Sequence, residues 1–168
     1  SLMRGDFHHS VESVGMLYIA SILEGLLERN DPYFIKNISY LGDTIWHNKP
    51  HARVEYNNPD FHFYDYTIQP NETLESIAEK LLVNDYMLLT RNPEIDDYED
   101  IEPGQVIKVP NFYGKRIEIF VNLSTFIPTF QYIEDDKGLY AQYDYKDILL
   151  NPVFTYETFS PDNPNYGF

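Results

Sequence analysis

The chain has no cysteine, which excludes a disulfide framework, a thiol nucleophile and any zinc site built on thiolates. Cytosol and bacterial periplasm both suit such a chain. Bases are scarce, with 12 Lys and Arg against 27 Asp and Glu and a formal charge of −15 over 168 residues. Phosphate backbones are bound by Lys and Arg that displace counterions, so nucleic acid is a poor partner. Anionic lipid surfaces are disfavoured for the same reason. Long hydrophobic runs are missing too. The longest, Val14 to Leu27, is broken by Gly15, Ser21, Glu24 and Gly25 and falls short of the ~20 residues a membrane span needs. No apolar signal core follows Ser1-Leu2-Met3-Arg4-Gly5, which suggests a mature or trimmed form with any signal or anchor upstream. No His-Glu-x-x-His, Gly-x-Ser-x-Gly or phosphate-loop pattern is present, so hydrolase chemistry lacks its residues.

What the chain does have is apolar and aromatic mass: 43% hydrophobic residues, with 15 Tyr, 11 Phe and 1 Trp. That composition builds a core and excludes a polar disordered tail. His8 to Arg29 is predicted helical, because Val11, Val14, Tyr18, Ile22 and Leu26 recur at three- and four-residue steps. Met16, Leu17, Ile19, Leu23 and Leu27 widen the apolar side, which calls for cover on more than one face. Asn30-Asp31-Pro32 reads as the stop. Alternation then predicts short antiparallel strands at His51–Tyr56 and Phe61–Tyr64 around Asn48-Lys49-Pro50.

From Tyr66 to Pro110 the pattern is strand, helix, helix, strand. Tyr66-Thr67-Ile68 opens it and Val106 to Val109 closes it. Thr73 is placed to cap a helix whose buried side is Leu74, Ile77, Ala78 and Leu81, and a second helix runs around Tyr86 to Thr90. Beyond Tyr113-Gly114 the helical period does not return. Lys115–Val121, Ile127–Ile133 and Leu139–Tyr145 alternate as half-buried strands, with Asp135-Asp136-Lys137-Gly138 as a hairpin turn. Ser160 to Phe168 reads as irregular.

The run Tyr66 to Ala78, with Leu88, Asn92-Pro93, Ile101, Pro103-Gly104-Gln105 and Ile107 to Pro110, resembles the LysM domain over its full length. LysM domains bind N-acetylglucosamine-containing glycans, peptidoglycan or chitin, in a shallow groove between two loops. The resemblance places that groove at Asn71, Glu72, Thr73 and Leu74 on one side and Asn92, Pro93, Glu94 and Ile95 on the other. This copy departs from the family in having Asn71-Glu72 where Gly-Asp is usual, and in the excess of acids over Lys80, Arg91 and Lys108.

The flanks resemble the C-terminal half of the LolA-type lipoprotein-carrier fold. The matching stretches are Ile117 to Asn122, Thr125 to Pro128, Gln131 to Leu139, Tyr143 to Asp147, Asn151-Pro152 and Phe159, with Tyr40 to Pro50 as a preceding hairpin. The resemblance implies an α+β fold: a curved, incomplete antiparallel half-barrel (1–64 and 112–168), covered by the N-terminal helix, with a β-α-α-β LysM module (65–111) inserted. It implies a periplasmic or outer-membrane-associated envelope protein whose sheet contacts an acyl chain or a protein. The flanks are short for a full barrel, so an exposed sheet edge is expected to pair, for instance with a second copy.

Other candidate chemistry is weaker. His8-His9 point about 100° apart on a helix and do not ligate one metal, and His47, His51 and His62 lack ligand spacing. Asp96 to Glu102 lacks the spacing and glycine of an EF-hand and reads as a solvated acidic turn. The sequons at Asn37, Asn71 and Asn122 arise readily by chance and carry no weight under the bacterial resemblance. Tyr132, Tyr140, Tyr143 and Tyr145 either line a cavity or sugar surface or pack the sheet, and Trp46 is open to both. The expectation is a non-enzymatic protein with no metal or cofactor that binds peptidoglycan or a related glycan. The alternative is a structural interaction domain that binds no glycan and dimerises by a sheet edge.

Overall fold

In the computed structural model, residues 16–160 and Asn163 are described. The first helix, α1 (Met16–Glu28), is followed by a short α2 (Pro32–Asn37). The expected stop at Asn30-Asp31-Pro32 therefore also restarts a helix. The Asp31 carboxylate accepts from the Tyr33 and Phe34 amides, and Pro32 sits in the first turn, where its missing N–H costs nothing. The segment before Met16 in the expected helix, and the His8-His9 pair, lie outside the described residues.

The main sheet has five antiparallel strands in the order β1-β2-β5-β6-β7: β1 (Ile38–Trp46), β2 (Lys49–Asn57), β5 (Arg116–Asn122), β6 (Pro128–Asp135) and β7 (Gly138–Asp144). It is open and does not close into a barrel. His47 and Asn48 both take positive φ, at 47° and 59°, the conformation a two-residue hairpin needs to match strand twist. Gly138, at φ 114°, ends the β6–β7 turn.

Between β2 and β5 the chain forms β3 (Phe63–Thr67), α3 (Leu74–Leu81), α4 (Asp85–Arg91) and β4 (Val106–Pro110), with β3 and β4 as a separate two-stranded sheet. β2 and β5, which flank this unit in sequence, pair directly with each other. The expected strand Phe61–Tyr64 is corrected. Phe63 and Tyr64 belong to β3, opposite Pro110 and Val109, and Phe61 packs edge-on to Phe63 from outside the strand.

One face of the main sheet, with Ile117, Ile119 and Ile133, is apolar, and Ile19, Ile22 and Leu26 of α1 join its core. The other face carries an ion-pair lattice. Arg116 reaches Glu55 (2.6 Å), Glu118 (3.1 Å) and Glu134 (3.3 Å), and Arg53 reaches Glu118 (2.6 Å). Trp46 packs edge-on to Phe120 and Phe130 on that face.

Helix α1 is not covered all round: Leu27 is 56% exposed and, with Leu23, lines an open apolar cleft of about 520 Å³ against Val54, Ile119, Val121, Phe126 and Pro128. Nor is the Tyr66–Pro110 unit self-contained, since its buried residues and those of the sheet form one continuous core. Tyr113 and Tyr140 from the flanks meet Asn84, the cap of α4. A Cβ on Gly25 of α1 would stand 3.0 Å from the Leu82 side chain, and Arg91 of α4 clasps Asp135 and Asp136. Of the four tyrosines, Tyr140 is buried against Asn84, Tyr132 lies under Arg116, and Tyr143 stacks on Tyr145.

Candidate functional site

The loops at the expected groove, 69–73 and 92–105, sit side by side because the Leu74 amide donates to the Tyr98 carbonyl at 3.1 Å. Behind them, Ile68 and Gln105 exchange a 2.9 Å backbone bond, and Gly104 returns one of equal length to Ile68.

In the first loop Asn71 is exposed and adopts φ 66°, a left-handed conformation that Asn tolerates better than most residues. Thr73 caps α3 in a reciprocal box with Ser76. Leu74 is fully buried. Glu72 turns inward, where its carboxylate accepts from Tyr66 (2.8 and 3.0 Å), the Gln69 amide (2.8 Å) and Lys80 (2.8 Å).

Glu72 therefore fastens the loop. Desolvation pushes its carboxyl up, but the hydrogen bonds from Lys80, Gln69 and Tyr66, with the Lys80 charge, outweigh that and hold it below the ordinary carboxylate range. A depressed folded-state pKa gives stability that is present above the unfolded carboxyl range and is lost as pH falls through the folded value. Carbon-detected NMR titration should therefore find Glu72 protonating below the ordinary carboxylate range. Glu72→Gln should remove that acid-side component, and an ordinary Glu72 titration would refute the assignment.

In the second loop the Asn92 side chain donates to the Leu88 carbonyl (2.7 Å) and the Lys108 carbonyl (3.0 Å), and it accepts from the Lys108 amide (2.7 Å). It is 2% exposed and Ile95 is fully buried. Pro93 and Glu94 are exposed. The acidic stretch is capped by its own carboxylates: Asp97 accepts from the Tyr98 amide (2.7 Å) and Asp100 from the Asp96 amide (3.3 Å). These are local turn bonds, which acidic residues in turns commonly make.

Of the eight expected groove residues, then, Asn71, Pro93 and Glu94 present side chains outward. Leu74 and Ile95 anchor the loops from the core, while Glu72, Thr73 and Asn92 spend their polar groups on holding the loops in shape. Three of the eight side chains are thus open to solvent, beside the loop backbone. Sequence reasoning missed Tyr98, which joins the loops through its carbonyl. Its ring is 7% exposed, and burial with the nearby Asp85 charge raises its phenol. The only sequence cue was an aromatic inside an acidic run.

Residues 66–110 match the family model described as the LysM domain. No curated protein and no solved structure matches the chain. The match covers less than half of the chain and coincides with β3-α3-α4-β4. The chain thus contains a LysM domain, a module that suggests binding of N-acetylglucosamine-containing glycans such as peptidoglycan.

Proposed function

We propose that this is a non-enzymatic cell-envelope protein that binds peptidoglycan, or a related N-acetylglucosamine glycan, through the edge formed by loops 69–73 and 92–105. The observation that carries this reading is the coincidence of the LysM match with a β-α-α-β unit whose two loops are hydrogen-bonded side by side. A pyranose needs polar partners for its hydroxyls and acetamide and an apolar surface beneath its ring. Asn71 and Glu94 supply the former and Pro93 the latter. Charge does not drive the encounter, because both peptidoglycan and this chain are anionic.

Titration with N-acetylglucosamine oligomers tests it. Amide shifts are expected at Asn71 to Leu74 and at Glu94 and Ile95. Asn71→Gly keeps the positive φ and deletes the side-chain amide, so it should weaken binding by roughly 2- to 12-fold, the equivalent of one net hydrogen bond. Silence in both loops at high oligomer concentration would reject the proposal.

Beside the LysM domain, we read the open sheet as LolA-like, in a periplasmic or outer-membrane-associated lipoprotein context. The apolar cleft beneath α1 is its surface for an acyl chain or a protein segment. The second reading, a structural or interaction domain without glycan binding, is favoured by the continuous core and by the inward use of Glu72 and Asn92. In that reading the exposed Tyr40 and Ile45 on edge strand β1 make a homodimer.

A further inference from the structure

The end of the sheet remote from the LysM domain holds a cavity that neither reading uses. Lys49 and His51 open β2 and Asn122 closes β5, whereas the LysM unit joins at the opposite ends, Asn57 and Arg116. Seven paired residues at ~3.3 Å each separate the two by about 20 Å. The cavity, of about 240 Å³, lies between the β1–β2 turn, the 122–129 loop and the segment after β7.

Its floor is built from buried polar groups. His51 is 1% exposed. Its Nδ1 lies 2.8 Å from the Lys49 carbonyl and its Nε2 lies 2.8 Å from Thr129 Oγ1. A carbonyl only accepts, so Nδ1 carries the hydrogen of the first bond, and Nε2 shares the second with the Thr129 hydroxyl. Asn122, 4% exposed, accepts from the Ser124 and Thr125 amides and shapes the second wall. The Tyr145 amide donates to the Thr129 carbonyl at 2.8 Å and ties in the third.

The lining inverts the charge balance of the molecule. In a chain of −15, this cavity presents Lys49 and Lys146 against Asp147. Asp144, at the edge, is already held by His47 (2.7 Å), Trp46 (3.1 Å) and Lys146 (3.4 Å), while Lys49 has no ion-pair partner among the described residues. Ile127, Ile148, Leu150 and the Tyr145 ring supply an apolar wall. A basic rim on a half-apolar cavity fits an anion that has an apolar body. Asp144 and Asp147 at the mouth disfavour a dianion.

We infer that this cavity is a second binding site, taking a small monocarboxylate with an apolar group: the carboxylate at Lys49 and Lys146, the apolar part on Ile127, Ile148 and Leu150. Amide NMR titration of the whole chain with N-acetylvaline, N-acetylvaline amide and inorganic phosphate tests this. N-acetylvaline should shift the amides of 122–129 and 145–148 and leave 71–74 and 92–95 still, which separates this site from the glycan reading. The uncharged amide should bind roughly 10-fold or more weakly, since a bond to a charged group is lost. Lys49→Met and Lys146→Met, both on exposed side chains, should each weaken the acid roughly 3-fold. Together they should remove the preference for acid over amide without weakening the amide form. The inference fails if N-acetylvaline leaves the cavity silent, if acid and amide bind alike to the unaltered chain, or if phosphate binds as tightly as N-acetylvaline.

Discussion

Tyr113→Ala should lower the stability of the LysM domain and the main sheet together, by about 3–5 kcal/mol, the usual cost of deleting a fully buried aromatic ring. Tyr113 is 1% exposed and lies between β4 and β5, where a flexible linker would be expected if the LysM unit were independent. Its ring centroid is 6.4 Å from that of Tyr18 on α1. Beside it, Phe112 stacks on Tyr56 at 4.3 Å and on Phe34 at 5.9 Å. The next residue is closely packed: a Cβ on Gly114 would stand 3.1 Å from Ile133 and 3.2 Å from the Glu134 carbonyl, so its neighbours would have to give way. The junction is thus part of the core. Urea unfolding followed by hydrogen exchange at Ile77 of α3 and Ile119 of β5 should show one transition, displaced for both probes by the substitution. Tyr113→Phe, which keeps the buried ring, should cost much less than the alanine change. A LysM signal that persists after Ile119 has exchanged would show that the two parts fold separately.

That continuity marks where the sequence could and could not be read. The β-α-α-β order was legible because local signals agree: the Thr73 cap, the Leu74, Ile77, Ala78 stripe and the Pro103-Gly104 turn all act within a few residues. The turn before Gly138 was legible for the same reason, since positive φ favours glycine, while the first hairpin was expected around Asn48-Lys49-Pro50 and turns at His47-Asn48. The docking of the unit was not legible. It depends on Tyr113, Asn84 and Tyr140, which meet from distant stretches and carry no periodic mark. Restart of a helix at Pro32 was hidden because proline stops one helix and starts the next with equal ease.

The groove divides along the same line. Family spacing placed Asn71, Pro93 and Glu94 where a ligand can reach them, but spacing cannot say which way a side chain turns. Glu72 goes inward because Tyr66, Lys80 and the Gln69 amide offer three kinds of donor there, a local bargain that the usual aspartate, one methylene shorter, would not reach in the same way. The carboxylate cavity was invisible for a different reason. Lys49, Asn122 and Lys146 lie on three separate segments, and only the β2–β5–β6–β7 pairing brings their segments to one end of the sheet.

Asn92→Ala is the second substitution with a large expected effect, and its partner Asn92→Asp gives it a distinctive signature. Asn92 joins the end of α4 to β4 by donating to two carbonyls and accepting from one amide. Alanine leaves all three backbone groups without that partner, at a cost of about 2–4 kcal/mol. Aspartate keeps the acceptor for the Lys108 amide but, when ionised, sets a carboxylate against the Leu88 and Lys108 carbonyl oxygens, which now lie 2.7 and 3.0 Å from the amide nitrogen. At neutral pH it should therefore destabilise at least as much as alanine. Protonation restores one donor, so the introduced carboxyl should have a raised folded-state pKa. The sign follows from linkage: the folded state then binds the proton more tightly than the unfolded state, and stability recovers as pH falls through the raised value. Denaturant midpoints measured from pH 7 to pH 5 should rise for Asn92→Asp relative to Asn92→Ala. Parallel profiles for the two would mean that Asn92 does not hold the second glycan loop through these carbonyls.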